Sequence, residues 1–142
     1  MTLPTHTILE SRNCPVFRIA ANETNKFAML VNPLVENTGF IQVLEIFDVA
    51  GFTPPNQHRA ADEVFVVLHG QGEASLGDAT LQLKPGTVLL LRPGHSHAVR
   101  NTGMTRLYCL TTMVPDEDFA KLITSGVADA LDAEDLKVLG WA

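Results

Sequence analysis

Between residues 15 and 114 the chain alternates short runs of β-branched and aromatic residues with turn-forming residues. The first runs cover residues 16–20 and 26–31, the second stopped by Asn32-Pro33, and a longer one covers 40–49 and closes on Ala50-Gly51. A run at 64–68 ends in His69-Gly70-Gln71-Gly72, and runs at 73–76 and 80–83 flank Gly77-Asp78, a hairpin signal. Lys84-Pro85-Gly86 turns the chain into 87–91, Arg92-Pro93-Gly94 turns it into 97–100, and Asn101-Thr102-Gly103 leads into 106–114. Turn signals about every eight to twelve residues predict an all-β sandwich or barrel over about 15–114. The runs lack the intervening helices of βαβ units, which excludes a Rossmann-like or TIM-like parallel sheet. After Pro115 the pattern changes. Asp116-Glu117-Asp118 precedes Phe119, Leu122 and Ile123 at helical spacing, with acids where a helix N-terminus favours them. Residues 132–139 read as a second short helix. The segment 115–142 is therefore expected to brace the barrel from outside, within one domain spanning 1–142.

Composition narrows the function classes. A chain of 142 residues builds one adequate core without staples. Charged residues make up only 18%, which suggests that part of the exterior is also covered, and self-association is expected. Ten Lys plus Arg against sixteen Asp plus Glu give a net charge of −6. That balance argues against nucleic-acid and anionic-membrane partners, which need a basic footprint. Cys14 and Cys109 read as reduced thiols rather than a disulfide framework. With no signal-like N-terminus and no apolar run of membrane-spanning length, a cytoplasmic location is expected.

Two segments carry candidate chemistry, residues 51–70 and 86–101. Asn56 and His58 are two apart, so on a strand they share one face. The stretch 59–62 can turn the chain so that Glu63 faces the same interior from the neighbouring strand. Glu63 is followed by Val64-Phe65-Val66-Val67, and a carboxylate buried there needs a metal, an arginine or water. His97 begins a strand just after a Pro-Gly turn and can project inward from the rim. Two imidazoles and a carboxylate converging inside a barrel make a plausible divalent-metal site with positions left open. His95 shares the parity of His97. Together with Arg59, Arg92 and Arg100 it gathers positive charge around the two segments, a candidate attraction for a small acid. Asn56, Arg59 and His95 are the candidate ligand-binding residues.

In these two segments the sequence resembles the cupin superfamily. His58, Glu63 and Gly70 fit the second His, the Glu and the closing Gly of its first motif, and Gly86, Gly94, His97 and Asn101 fit its second. The proline of the second motif stands at 93, one place later than usual. The resemblance implies a jelly-roll-like cupin β-barrel, dimerising through its N-terminal strand. It also implies a divalent metal (manganese, iron, nickel or zinc) held by His58, Glu63 and His97. Asn56 stands where the family has its first metal-binding His, and would be a fourth, weaker ligand. The expected function is metal-dependent action on a small polar organic molecule, as an isomerase, lyase or dioxygenase. The alternative is a non-catalytic module binding a sugar or organic acid, since this fold hosts both.

Overall fold

The computed structural model describes residues 2–142. Ten strands form two antiparallel sheets. The larger sheet contains β1 (Val16–Arg18), β2 (Asn25–Val31), β3 (Ile41–Phe47), β4 (Asp62–His69), β7 (Val88–Leu91), β9 (Leu107–Val114) and β10 (Val127–Asp129), in the order β10-β1-β2-β3-β9-β4-β7. The smaller contains β5 (Gly72–Leu76), β6 (Ala79–Leu83) and β8 (His97–Asn101), in the order β6-β5-β8. Phe65, Val67 and Cys109 of the large sheet pack against Ala74, Leu83 and Val99 of the small one in a single buried cluster, as in a jelly roll. The alternation of β4 sets this up: Glu63, Phe65 and Val67 are buried while Leu68 is exposed.

The strand runs expected from sequence are all present, with ends shifted by a few residues. Two elements carry no such signal. Helix α1 (Pro33–Glu36) is a single turn, started by Asn32, whose side chain accepts from the Leu34 N–H, and closed by Asn37 in the left-handed conformation. Strand β10 is three exposed residues that pair with β1. It can do so because a Cβ at Gly126 would run into the Arg18 and Ile19 carbonyl oxygens. Strand β1 is thus hydrogen-bonded on both edges, by β2 and β10, and a dimer built on it would have to use its faces.

Residues 51–61, where strand parity is applied to Asn56 and His58, make only isolated bridges, Phe52 to Arg100 and Asn56 to His97. Three prolyl and glycyl positions (Gly51, Pro54 and Pro55) interrupt a continuous ladder there. Strand parity therefore does not govern this segment: Asn56 is exposed and His58 is buried.

The C-terminal segment covers parts of both faces of the large sheet. Helix α2 (Phe119–Thr124) buries Ala120 and Ile123 on the inner side, with Phe27, Val43 and Met113, and α3 (Ala133–Leu139) brings Val138 and Leu139 against Ala28, Leu44, Ile46 and Tyr108 on the outer side. At the centre of this contact Asp135 is fully buried and meets Lys26 Nζ at 2.5 Å. It also accepts from Tyr108 Oη at 2.9 Å and from Arg106 at 3.0 Å, while its backbone N–H and second oxygen complete a capping box with Asp132. Burial and the adjacent Asp135 charge push the Tyr108 hydroxyl well above its ordinary value, so it stays a donor. Removing one partner of a buried ion pair leaves the other uncompensated. Lys26→Met should cost about 3 kcal/mol, the low end of such losses because Arg106 still faces Asp135. The shift of the urea-unfolding midpoint at unchanged slope checks this.

Candidate functional site

Glu63 enters the interior from the start of β4, facing inward between Met113 of β9 and Leu91 of β7. It is 4% exposed. Its Oε1 lies 3.1 Å from His58 Nε2 and 3.2 Å from His97 Nε2, and the two imidazole rings are 5.1 Å apart between centroids. The three side chains are all buried, and one ligand atom from each falls within 4.8 Å of the others. The structure thus brings together the three residues singled out as metal ligands. No arginine pairs with Glu63 among the described residues. Arg59 is paired with Glu117, and Arg106 with Asp132, Glu134 and Asp135.

Backbone contacts hold each imidazole. The His58 carbonyl accepts from the Gly94 N–H at 2.8 Å, which ties the first segment to the Pro93-Gly94 turn of the second. His97 and Asn56 exchange N–H to carbonyl bonds, both at 2.8 Å, and His97 Nδ1 lies 3.4 Å from the His95 carbonyl oxygen. Asn101, at the end of β8, donates from its amide to the Asp48 and Thr105 carbonyls at 2.9 Å each and accepts from the Gly103 N–H. It fixes the corner of the barrel and takes no part in the site. Gly70 ends β4 at φ +95°, and a Cβ there would press on the Arg106 carbonyl oxygen.

The site opens into a cavity of about 270 Å³, walled by Phe27, Phe52, Phe65, Phe119 and Leu122. Asn25, Glu45, Glu63 and His97 supply its main polar groups. His58 is set back behind Glu63 and is not on the cavity wall. Asn56 stands on the wall, but it is exposed and its Oδ1 accepts from the Gln57 N–H at 2.8 Å. Arg59 and His95 lie away from the cavity. The Arg59 side chain is 94% exposed, and His95 lines a separate hollow beside Leu76, Leu90 and Arg92. Arg92 and Arg100 are occupied by Asp62 and Glu73.

Two carboxylates at the site escaped the sequence reading. Glu45 occupies an inward position on β3 between Val43 and Phe47, and the signal for it was a charge placed in an apolar run. Glu117 has no sequence signature. Its carboxylate accepts from the backbone N–H groups of Arg59, Ala60 and Ala61, the turn between His58 and Glu63. Glu117 and Asp118 both adopt left-handed backbone, φ 51° and 65°, to reach it. Burial works against the Glu117 charge, but the three donors outweigh it and hold its carboxyl below the ordinary range. One residue thereby fixes the turn between His58 and Glu63 and the start of α2, whose Phe119 and Leu122 roof the cavity.

The comparisons with known proteins agree with this fold. A family model for the cupin domain matches residues 43–113, from β3 to β9, and the chain belongs to that family. A protein from Thermotoga maritima described as a predicted oxalate decarboxylase has the same fold, with a TM-score of 0.69 at 20% identity over 77% of this chain and 99% of its own. An RmlC-like cupin from Shewanella frigidimarina aligns with a TM-score of 0.67 at 19% identity, over 81% and 96% of the two chains. KdgF from a Halomonas species aligns with a TM-score of 0.61 at 18% identity, over 70% and 87%. No curated protein sequence matches the chain.

The pH response of the site follows from its pairing. Burial would raise the Glu63 pKa, yet the hydrogen bonds and charges of His58 and His97 bring it below the usual 4.5. Its contribution to stability is present above 4.5 and is lost as pH falls through the depressed folded value. The hydrogen bond to Glu63 raises His58 above 6.5 against the effect of burial. Its contribution is complete below 6.5 and is lost as pH rises through the raised folded value. Without metal, the pair should stabilise the fold most between pH 4.5 and 6.5. The melting-temperature gap between wild type and His58→Gln should be widest in that window and narrow above it. Glu117→Ala should in addition destabilise the fold by about 1–2 kcal/mol, since three N–H groups lose their acceptor. Denaturant titration reads this loss.

Proposed function

We propose that this protein is a metal-binding cupin that acts on a small polar organic molecule held in the cavity. The observation that supports it is Glu63, nine-tenths and more buried, whose only ionic partners among the described residues are two imidazoles. A buried carboxylate facing two neutral-to-cationic nitrogens matches the donor set of a first-row divalent ion. His58, Glu63 and His97 would hold it, and the cavity side of Glu63 and His97 leaves room for a substrate. The ion would supply Lewis acidity toward a carbonyl or carboxylate oxygen. Asn56 could join as a weak fourth ligand only by giving up its hydrogen bond to the Gln57 N–H.

That engaged amide favours a second reading, a non-catalytic module that binds a small ligand through the same cavity. Turnover of any bound compound separates the two. The likeness to a predicted oxalate decarboxylase is compatible with a small organic substrate, but at 20% identity it speaks for the fold alone.

Metal titration with elemental analysis is the test. One divalent ion should bind per chain and raise the melting temperature, by the equivalent of about 2.7 kcal/mol at a hundredfold excess over Kd. Binding must displace the proton on His58, so affinity should rise with pH through the raised His58 value. His97→Ala should weaken binding on the order of 100-fold, and Asn56→Ala by only about twofold. Equal affinity in wild type and His97→Ala would place the metal elsewhere.

A further inference from the structure

Glu45 is 2% exposed and faces the same cavity as Glu63 and His97, yet it stands outside the His58–Glu63–His97 group. Among the described residues it has no cationic partner. Its Oε2 accepts from Asn25 Nδ2 at 2.9 Å, and its Oε1 receives the Thr111 hydroxyl only at 3.5 Å. Asn25 is buried as well, and its Oδ1 is taken by the Thr24 hydroxyl at 3.2 Å.

This arrangement is costly for a charge and wasteful for packing. A carboxylate buried without a cation pays heavily for desolvation, and an apolar residue would fill the same position on β3 without that penalty. Burial, reinforced by the negative charge of Glu63, pushes the Glu45 carboxyl up to about 8. Around neutral pH it therefore carries a proton. A protonated carboxyl has one O–H to donate. Asn25 Nδ2 is itself a donor and cannot accept it, and the Thr111 contact is long, so the donor is left for whatever occupies the cavity. The wall contributes no lysine or arginine, and Glu23 adds a further acid at its edge.

We propose that Glu45, braced by Asn25, is a second ligand-contacting residue: as an uncharged acid it donates a hydrogen bond to a neutral carbonyl or hydroxyl oxygen of the ligand. The structure thereby assigns the cavity to small oxo or hydroxy monocarboxylates and against dicarboxylates. The carboxylate end of such a ligand lies toward Glu63 and His97, and this part rests on the metal-binding reading above. The oxo or hydroxy end meets Glu45. A second carboxylate placed there would be taken out of water with no cation to meet it.

The probes are 4-oxopentanoate and succinate, which differ only in a methyl ketone against a second carboxylate. Calorimetry at pH 7 on the zinc-loaded protein should show 4-oxopentanoate binding about tenfold more tightly than succinate, the worth of one hydrogen bond to a buried acid. Glu45→Leu should lose about tenfold for 4-oxopentanoate. Glu45→Gln, which keeps an uncharged donor, should retain both 4-oxopentanoate binding and the preference over succinate. Both variants should bind zinc as wild type does. A Glu45→Leu protein that is folded and binds 4-oxopentanoate as wild type overturns the inference, and so does a wild type that binds neither probe or prefers succinate. A large loss of zinc affinity in Glu45→Gln would make Glu45 a metal ligand instead, overturning the inference while the metal reading stands. A wild type that binds no zinc, nickel, iron or manganese would sink the metal reading. Butanone, a ketone without the carboxylate, measured without metal on wild type and Glu45→Leu would then still decide whether Glu45 contacts a ligand: loss in Glu45→Leu keeps the inference and equal binding overturns it.

Discussion

A carboxylate taken out of water inside an apolar barrel must be met by positive charge, by hydrogen-bond donors or by its own proton. Two carboxylates in this cavity meet the requirement differently. Glu63 is met by His58 and His97 and is held ionised, while Glu45 is met by an amide and a distant hydroxyl and keeps its proton. Much of the local architecture serves the first solution. The Gly94 N–H holds the His58 backbone, the Asn56 bridge holds His97, and Glu117 holds the turn between His58 and Glu63. The same Glu63 charge then helps impose the second solution on Glu45.

The outer face of the large sheet poses the same problem on the other side of the wall. Lys26 and Asp135 are both buried there, and their pairing is completed by Tyr108 and Arg106. Because α3 is clasped at this point, Ala28, Leu44, Ile46 and Tyr108 are covered by the chain's own C-terminal segment. The low charge content is explained in part by this internal cover. The barrel wall is thus apolar on both faces along β3, where Ile41, Val43, Leu44, Ile46 and Phe47 are all buried.

That double burial is why some of the site was legible in the sequence and some was not. Turn residues at regular spacing sufficed for the strands from 16 to 114, because each turn demands particular backbone chemistry. His58, Glu63 and His97 stood out because their spacing matches a family pattern whose glycines and asparagine fix the corners, as Gly70 and Asn101 do here. Glu45 was hidden because an apolar run buried on both faces shows no alternation, so nothing marked which side its carboxylate took. Asn56 does stand on the cavity wall, but it does not share a strand face with His58, for the opposite reason. Strand parity was applied to a segment whose prolines allow only isolated bridges. Arg59 and His95 were drawn in by nearness along the chain, whereas the folded turn points one to solvent and the other to a separate hollow. Strand β10 depends on a close backbone approach at Gly126, a three-dimensional fact that no local pattern carries.

The placement of charge also bears on how a ligand reaches the site. The arginines around the two segments are matched outside the cavity by Glu117, Asp62 and Glu73, so the interior takes no positive charge from them. Positive charge inside comes only from imidazole or from an ion bound to it. Without a metal, an acidic ligand would meet two or three carboxylates and one histidine on the cavity wall, a potential that repels it. With a divalent ion on His58, Glu63 and His97, the sign at that end would reverse. Metal occupancy and ligand affinity are then linked: an ion that favours the ligand must itself be favoured by the ligand to the same degree. On the proposed reading the cavity would be a two-ended receptor, one end switched by a metal and the other fixed by a buried acid, and the roof that α2 lays over it is anchored by Glu117 to the turn between His58 and Glu63.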